Sequence, residues 1–247
     1  MEFHLQKGHD MKPKIICHMM SSVDGRLIGD RWSLPFDGKK RDDLYEPYFE
    51  LSKEQNADGW MVGRSTIQTD NPVETFDWEN HKPASEFKTF IGKRGSERMC
   101  IVIDPKGKIL YHEDTLDGDN IVAILGETVS EEYLAMLRDK GISYLFAGLA
   151  GTELEIALDT LYTEFGMRKI MLSGGGIING TFLVAGLIDE LILMIYPGID
   201  ALSSAPSIFE YPGQPGSFPA KGQALELLST RTERDGIITL HYKFHKL

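Results

Sequence analysis

Short apolar runs alternate with amphipathic stretches along most of the 247-residue chain, and this alternation restricts the fold more than any other feature. Several runs are continuously apolar, as is typical of parallel strands that are covered on both faces. The pattern predicts an α/β fold with a mostly parallel central sheet and helices on both faces. The predicted strands are Lys14–Met19, Gly59–Val62, Met99–Ile103, Ile121–Leu125, Ser143–Phe146, Lys169–Leu172 and Glu190–Tyr196.

Three stretches between these strands are predicted to be helical. Glu153–Phe165 carries an apolar stripe at helical spacing, and Ser130–Lys140 begins at an N-cap serine; each stops before a glycine. Lys39–Gln55 is more polar, and Pro47 is expected to break or kink it.

The last third of the chain has a different pattern. Ala205–Gly222 is crowded with proline and glycine, which predicts a loop. Ala224–Arg231 and Ile237–Phe244 alternate in polarity around Glu233–Gly236, which predicts a C-terminal antiparallel hairpin. We expect residues 12–247 to form a single domain and residues 1–11 a flexible tail.

Charge and composition exclude several classes of function. The formal charge of −11 disfavours nucleic acid and anionic membrane surfaces as partners. No apolar run reaches the roughly 18 residues of a membrane span, and the first ten residues lack a signal-peptide core. We therefore expect a cytoplasmic protein. Two cysteines exclude a disulfide framework, and the histidines show no metal-ligand spacing.

The sequence Ser173-Gly174-Gly175-Gly176-Ile177 joins an apolar strand to an apolar helical stretch. Consecutive glycines leave no side chains in the way, so backbone N–H groups and the helix N-terminus can approach a phosphate. The motif is neither the G-x-G-x-x-G fingerprint nor a P-loop. Its alternative interpretation is a tight turn without a ligand.

Two further motifs follow predicted strands. Thr66 and Asp70 lie four residues apart after Gly63, so a short helix would place both on one face, near a nucleotide; N-capping and a local turn are the alternative. Ser22 and Asp24 follow the first strand, and Trp32 lies in the polar loop beyond them. Trp32 is either an aromatic stacking surface for a substrate or a packing anchor.

Taken in order, these motifs resemble the riboflavin-pathway pyrimidine reductases, the reductase half of bifunctional deaminase-reductases. The shared pattern is a strand ending in S-x-D-G, then strand–G-R-x-T-x-x-x-D-N-P, a strand ending in Asp-Pro, and strand–S-G-G-G–helix–G-L-I-D-E-L–strand–P. The resemblance covers Lys14 to Gly198 and implies the dihydrofolate-reductase-like fold.

The resemblance also implies an activity. It is an NADPH-dependent reductase resembling 5-amino-6-(5-phosphoribosylamino)uracil reductase of riboflavin biosynthesis, which transfers a hydride directly to a small heterocycle. A homodimer is the usual assembly. Because the chain has no deaminase segment, we expect a stand-alone reductase.

By position in the motifs, the family's cofactor contacts fall on one set of residues. Thr66 and Asp70 would contact NADPH, and Trp32 would lie near the nicotinamide. The cofactor diphosphate would be held by Gly174, Gly175, Gly176 and Ile177, and its adenosine end by Asp104, Pro105 and Lys106. Lys106 or Lys108 is the first choice for the 2′-phosphate, and Lys93 and Arg94 are the second; solvated surface is the alternative for all four.

The substrate half of the family pattern is less well matched. Ser173 occupies a substrate-contacting position that is usually acidic, and Glu54 and Asp77 fall where the family has phosphate-binding arginines. This makes the phosphoribosyl substrate doubtful. Ser22 and Asp24 are the nearest polar candidates to orient a substrate or relay a proton. Asp24 could act as an acid only if burial raises its pKa.

Two other interpretations stay open. The chain could be a dihydrofolate reductase or another imine or carbonyl reductase, with Asp43, Glu46 or Glu50 as the folate-pocket acid. It could also be a non-catalytic nucleotide-binding protein on the same fold. Turnover of NADPH with an acceptor distinguishes a reductase from the latter.

Overall fold

A computed structural model describes residues 12–70, 74–77 and 82–247. The predicted tail, residues 1–11, lies outside the described residues. The strands are β1 (Lys14–Ser22), β2 (Gly59–Gly63), β3 (Glu74–Thr75), β4 (Met99–Ile103), β5 (Ile109–Leu110), β6 (Thr115–Leu116), β7 (Asp119–Leu125), β8 (Ser143–Phe146), β9 (Lys169–Leu172), β10 (Glu190–Tyr196), β11 (Gln223–Thr232) and β12 (Ile238–Lys246). The α-helices are α1 (Glu46–Glu54), α2 (Arg64–Asp70), α3 (Glu131–Lys140), α4 (Leu154–Thr163) and α5 (Gly176–Val184).

Ten of the strands form one mixed sheet in the order β11-β12-β10-β1-β9-β2-β4-β7-β6, with β8 also paired to β7. The strands from β10 to β8 pair in parallel, and β12 and β11 add an antiparallel hairpin at one edge. The parallel strands therefore end at a common edge, which we call the carboxyl edge of the sheet.

Alternating residues of β1 pack on opposite faces of the sheet, as the period of a strand requires. Ile15, Cys17 and Met19 join the core under α4 and α5. Ile16 and Met20 join the core that includes Leu51 of α1. Two-sided burial explains why the central strands are continuously apolar in sequence, and it confirms the predicted fold class.

The helix signals in the sequence have the structural roles expected of them. The Ser130 hydroxyl accepts from the Tyr133 amide at 3.1 Å, and Gly141 ends α3 with a φ of 78°. The prediction for Lys39–Gln55 is too long. A 3₁₀ turn occupies Arg41–Tyr45, and α1 starts at Glu46 because Pro47 fits a helix's first turn but not its interior.

The predicted C-terminal hairpin is confirmed, with its turn at Arg234–Gly236. The two-residue strands β3, β5 and β6 were not predicted, because segments so short carry no periodicity. Among the described residues, no helix is both long enough and apolar enough to cross a membrane.

Candidate functional site

The glycine motif lies at the carboxyl edge, directly after β9 and between β1 and β2. The Gly63 amide donates to the Gly174 carbonyl at 2.9 Å, and the Ser173 amide donates to the Met61 carbonyl at 2.8 Å. These bonds extend the β2–β9 pairing into the turn and leave Ser173 half-buried at the end of the strand. In open α/β sheets, ligands bind in crevices at this edge.

The three glycines have different structural roles. Gly174 has a φ of 94°, and a Cβ there would lie 2.9 Å from Met19 Cε. A Cβ on Gly176 would lie 2.3 Å from the Ser207 carbonyl oxygen. Gly175 has an extended φ of −72°, and a Cβ there would meet only Thr66 Oγ1, at 3.1 Å. Packing thus explains Gly174 and Gly176, whereas Gly175 keeps side-chain atoms out of the space beside Thr66.

Helix α5 begins at this turn with its first amides uncapped by any side chain. Its N-cap is Gly175, which has no capping group, and Ile177 in the first turn is 56% exposed. The first N–H groups of a helix have no partners within it, and the helix dipole is positive at this end. The turn therefore fits the diphosphate of a dinucleotide by backbone donors alone, which suits a chain of net charge −11.

Helix α2 brings Thr66 next to this turn, as the Gly175–Thr66 approach shows. The Asp70 backbone ends α2, but its side chain and residues 71–73 lie outside the described part of the structure. Arg64 opens α2, and its Nε lies 3.6 Å from Asp104 Oδ1 at the end of β4. Arg64 lies in the G-R-x-T motif but was not predicted to have a function; an arginine directly after a strand was the available signal.

Asp104 is fully buried and shapes the turn that follows β4. Its Oδ2 accepts from the Lys108 and Ile109 amides at 2.6 and 2.9 Å, and Tyr133 Oη lies 3.4 Å away. Burial raises the pKa of this carboxyl group. The prediction that Asp104 contacts the cofactor is therefore corrected, because its side chain faces the turn that follows β4. Pro105 is half-buried and Lys106 is exposed in the same turn.

The second-choice cations lie elsewhere. The Lys93 amide donates to Gly141, which precedes β8, and Arg94 donates to the Glu164 carbonyl before β9. Both therefore lie at the amino ends of parallel strands, opposite the glycine turn, so this interpretation is wrong.

The structure also shows where Glu54 and Asp77 lie, the two acidic residues that made a phosphorylated substrate doubtful. Glu54 is in the last turn of α1, which leads to the amino end of β2, and its Oε2 is 3.7 Å from Arg231. Asp77 is exposed beyond β3.

Ser22 and Asp24 are brought together at the end of β1. The Ser22 hydroxyl donates to Asp24 Oδ1 at 2.6 Å, and Asp24 accepts from the Asp200 and Ala201 amides at 3.1 and 2.8 Å. These bonds lower the pKa of Asp24 to about 2, the Ser22 bond most. Asp24 is therefore ionised at neutral pH, and the raised pKa that a proton donor needs is not found. It joins two loops of the carboxyl edge.

The segment after β10 connects this edge to α5. Arg26 donates to the Ala205 carbonyl at 2.8 Å, and the Glu210 amide donates to the Gly176 carbonyl at 2.9 Å. Asn179 of α5 donates to the Ile208 carbonyl at 2.9 Å. Residues 205–210 therefore link the loop after β1 to the first turns of α5.

Trp32 is a packing residue in this structure. It is 3% exposed, and its ring centroid lies 4.9 Å from that of Tyr196 and 6.1 Å from that of Tyr45. The interpretation of Trp32 as an exposed stacking surface is therefore corrected. Tyr45 and Tyr196 were not identified from the sequence, because each lies in an ordinary amphipathic or apolar run.

Comparison with known families gives one match that spans most of the chain. The model of the RibD C-terminal domain matches residues 13–238.

Several curated proteins are similar in sequence, and three of them are named 2,5-diamino-6-ribosylamino-4(3H)-pyrimidinone 5′-phosphate reductase. The protein of Methanothermobacter thermautotrophicus is 28% identical over 191 residues, covering 76% of this chain and 80% of the relative. That of Aquifex aeolicus is 23% identical over 201 residues, covering 80% and 82%. That of Kluyveromyces lactis is 26% identical over 201 residues, covering 76% and 73%.

Solved structures share the fold at low sequence identity. A pyrimidine reductase-like protein from Corynebacterium diphtheriae has a TM-score of 0.61 at 18% identity, covering 95% of this chain and 93% of that one. The Saccharomyces cerevisiae riboflavin biosynthesis reductase Rib7 has a TM-score of 0.57 at 16% identity, covering 97% and 93%. RibD of Acinetobacter baumannii has a TM-score of 0.61 at 17% identity, covering 95% of this chain and 58% of RibD.

Proposed function

The chain belongs to the RibD C-terminal domain family, and on this premise we propose that it is an NADPH-dependent reductase of riboflavin biosynthesis. Its substrate is a ribosylaminopyrimidine 5′-phosphate, the compound class for which the similar curated proteins are named.

The single observation that carries this proposal is the glycine turn at the carboxyl edge. Gly175 presents bare backbone toward Thr66, and α5 begins there with an uncapped, positively polarised N-terminus. We assign the diphosphate of NADPH to Gly174, Gly175, Gly176 and Ile177, with Thr66 beside them. Asp70, which follows Thr66 in the same motif, is proposed as a further cofactor contact.

The preference for NADPH over NADH is assigned to cations at the end of β2 and β4. Arg64 joins Lys106 and Lys108 as a candidate for the 2′-phosphate, since Asp104 contacts Arg64 and also orders the turn that carries both lysines. An arginine offers a phosphate two donors in a fixed planar geometry, whereas a lysine acts as a flexible point charge.

When bound, NADPH supplies the hydride, and the chain's own residues provide binding and orientation. Ser173 is half-buried at the end of β9, directly before the glycine turn, and is the candidate substrate contact. Asp24 stays ionised and holds the loop at Asp200 and Ala201 in place. Ser22 positions Asp24 rather than relaying a proton.

We also propose a homodimer, formed through one face of the C-terminal hairpin. Leu225 and Leu227 of β11 pair with Phe244 and Tyr242 of β12, so these four side chains share a face. Tyr242 and Phe244 are partly buried against the core, whereas Leu225 and Leu227 are 49% and 52% exposed, and exposed apolar side chains side by side favour an interaction surface. A cytoplasmic location stays a prediction from the sequence.

The test is turnover, followed by loss of NADPH absorbance. The purified chain is mixed with NADPH and either the pyrimidinone phosphate of the relatives or 5-amino-6-(5-phosphoribosylamino)uracil. Oxidation of NADPH that requires one of these substrates supports the proposal. Oxidation with dihydrofolate alone would favour a dihydrofolate reductase, and no oxidation with any acceptor would favour a non-catalytic nucleotide-binding protein.

A further inference from the structure

Asp104 has more charge and more acceptor capacity than the turn after β4 requires. Its Oδ2 accepts from the Lys108 and Ile109 amides at 2.6 and 2.9 Å, with Tyr133 Oη at 3.4 Å. The carbonyl oxygen of an asparagine could accept the same bonds. The second carboxylate oxygen, Oδ1, is buried and has no hydrogen-bond partner among the described residues. The turn therefore explains Oδ2 but neither Oδ1 nor the negative charge of Asp104.

Arg64 accounts for the charge of Asp104. Its Nε lies 3.6 Å from Asp104 Oδ1, which is within ion-pair distance but too long for a hydrogen bond. The Asp104 side chain is 0% exposed, and a buried carboxylate is costly to ionise unless a cation compensates it. The Arg64 charge opposes the rise that burial causes in the pKa of Asp104. Each of the two groups therefore stabilises the charge of the other.

A second side chain fixes the Arg64 guanidinium from within α2. Arg64 NH1 donates to Gln68 Oε1, four residues further along the same helix. The guanidinium is thus held at two of its three nitrogen atoms. The third, NH2, has no partner in the part of the chain that the structure describes. The Arg64 side chain is 32% exposed, so a ligand at the carboxyl edge can reach it.

The held guanidinium lies between the two turns to which the cofactor is assigned. Strand β2 pairs with β9 on one side and with β4 on the other. Arg64 directly follows Gly63, whose amide donates to the Gly174 carbonyl of the glycine turn at 2.9 Å. Asp104 directly follows β4 on the opposite side of Arg64. Arg64 is therefore placed where a phosphate on the ribose next to the diphosphate can contact it.

A guanidinium held in this way suits a phosphate monoester. Its N–H donors lie in one plane and point in several directions, so one arginine can pair with a carboxylate and a phosphate at once. Holding the donors in place before the ligand arrives also reduces the side-chain entropy lost on binding. A lysine has no equivalent geometry, because its charge lies on one flexible ammonium group.

We propose that Asp104 is a positioning residue for Arg64, and that through Arg64 it sets the preference for a dinucleotide that carries a 2′-phosphate. This inference rests on the proposed function, because it concerns the NADPH site assigned above. It adds a buried residue that acts on the cofactor without touching it. It also identifies Arg64, rather than Lys106 or Lys108, as the main contact of the 2′-phosphate.

The test measures binding of NADPH and of NADH by calorimetry to Asp104→Asn, Arg64→Met and the double variant. Asp104→Asn keeps an acceptor for the turn and removes the charge that faces Arg64. We expect the Kd for NADPH to rise about tenfold in each single variant, as loss of one charge-assisted hydrogen bond predicts, while the Kd for NADH stays unchanged. Because Asp104 acts through Arg64, the double variant should bind NADPH no more weakly than Arg64→Met does.

Asp119→Asn is the matched control. Asp119 is also a carboxylate beside an arginine, since its Oδ2 lies 3.9 Å from Arg98 Nε and accepts from Trp60 Nε1 at 2.9 Å. It begins β7, at the amino end of the parallel strands and away from the carboxyl edge. This variant should keep the wild-type preference for NADPH.

Three results would overturn the inference and leave a reductase standing. One is a folded Asp104→Asn chain that keeps the wild-type ratio of the two Kd values. Another is a double variant in which the two losses multiply, because the residues would then act separately. The third is a wild type that binds NADH as tightly as NADPH.

A further variant covers the case in which Asp104→Asn does not fold. Arg64→Lys keeps the charge but loses the planar donors that Asp104 holds, so its preference for NADPH should fall as far as in Arg64→Met. A wild-type preference in Arg64→Lys overturns the inference. If the wild type binds neither dinucleotide, the proposed function fails, and this inference fails with it.

Discussion

At the scale of single residues, a substitution at Gly175 tests ligand binding with less effect on packing than a substitution at Gly174 or Gly176. Its φ of −72° is open to any L-residue, and an added Cβ meets only Thr66 Oγ1. We predict that Gly175→Val raises the KM for NADPH at least tenfold and changes the melting temperature little. Gly95→Ala, where a Cβ meets only Asn120 Oδ1 at 3.9 Å, is the control. An unchanged KM for NADPH would remove the assignment of the diphosphate to this turn.

His18 is a second residue with a testable property. It is 1% exposed, stacks on Tyr48 with ring centroids 4.2 Å apart, and has no partner for either ring nitrogen among the described residues. Burial lowers its pKa from 6.5 to about 3. Below pH 6.5 the unfolded chain therefore binds a proton that the folded chain does not, and stability falls until about pH 3.

We predict that the free energy of unfolding of the wild type falls by about 2 kcal/mol more than that of His18→Phe between pH 7 and pH 5. The value follows because pH 5 lies roughly 1.5 units below the pKa of His18 in the unfolded chain, and each unit contributes about 1.4 kcal/mol. Urea unfolding at both pH values measures it. Identical pH dependence of the two proteins would show that His18 is protonated in the folded state.

Residue-scale function was only partly predictable from the sequence. The glycine turn and Thr66, which the structure brings side by side, could be singled out because small residues and a hydroxyl after apolar strands have a direct physical meaning. The packing of Tyr196 on Trp32 could not be found, because this contact joins positions 164 residues apart in sequence. The buried role of Asp104 also depends on tertiary contacts, with Tyr133 and Arg64.

At the scale of elements, the first half of α5 is held by residues 205–210. A Cβ on Gly180 would lie 1.9 Å from the Glu210 carbonyl oxygen, so this segment packs directly on helix backbone. We predict that Gly180→Ala lowers stability by about 1–3 kcal/mol, although alanine favours helix, because the segment must move away. Val184→Ala, at an exposed position of α5, is the control. Stability at or above the wild type in denaturant unfolding of Gly180→Ala would contradict this packing.

The ends of helices and strands lie where the sequence predicts them when local interactions, such as capping, determine the boundary. Ser130 and Gly141 bound α3 as capping predicts, and the central strands lie where the apolar runs are. The extension of β1 to Ser22 depends on tertiary pairing, since Ser22 is held by its ladder with Tyr196. Local pattern alone does not contain that information.

At the scale of the whole molecule, the apolar face of the C-terminal hairpin predicts a dimer. Leu227 is 52% exposed on this face, and Ser229 lies beyond the β-bulge on the same strand, paired with His241. We predict that Leu227→Asp converts a dimer to a monomer in sedimentation velocity, while Ser229→Asp leaves the dimer intact. A wild type that sediments as a monomer at micromolar concentration would contradict the proposed assembly.

The carboxyl edge of the sheet follows from a scaffold that the sequence predicts well, and the glycine turn there is built from backbone. We propose that this edge binds NADPH, and the direct measurement is a titration of tryptophan fluorescence with NADPH, with NADH for comparison. We predict saturable binding of one NADPH per chain and weaker binding of NADH, which lacks the 2′-phosphate. If neither nucleotide binds at millimolar concentration, the glycine turn is only a turn and the assignment of a reductase site is wrong.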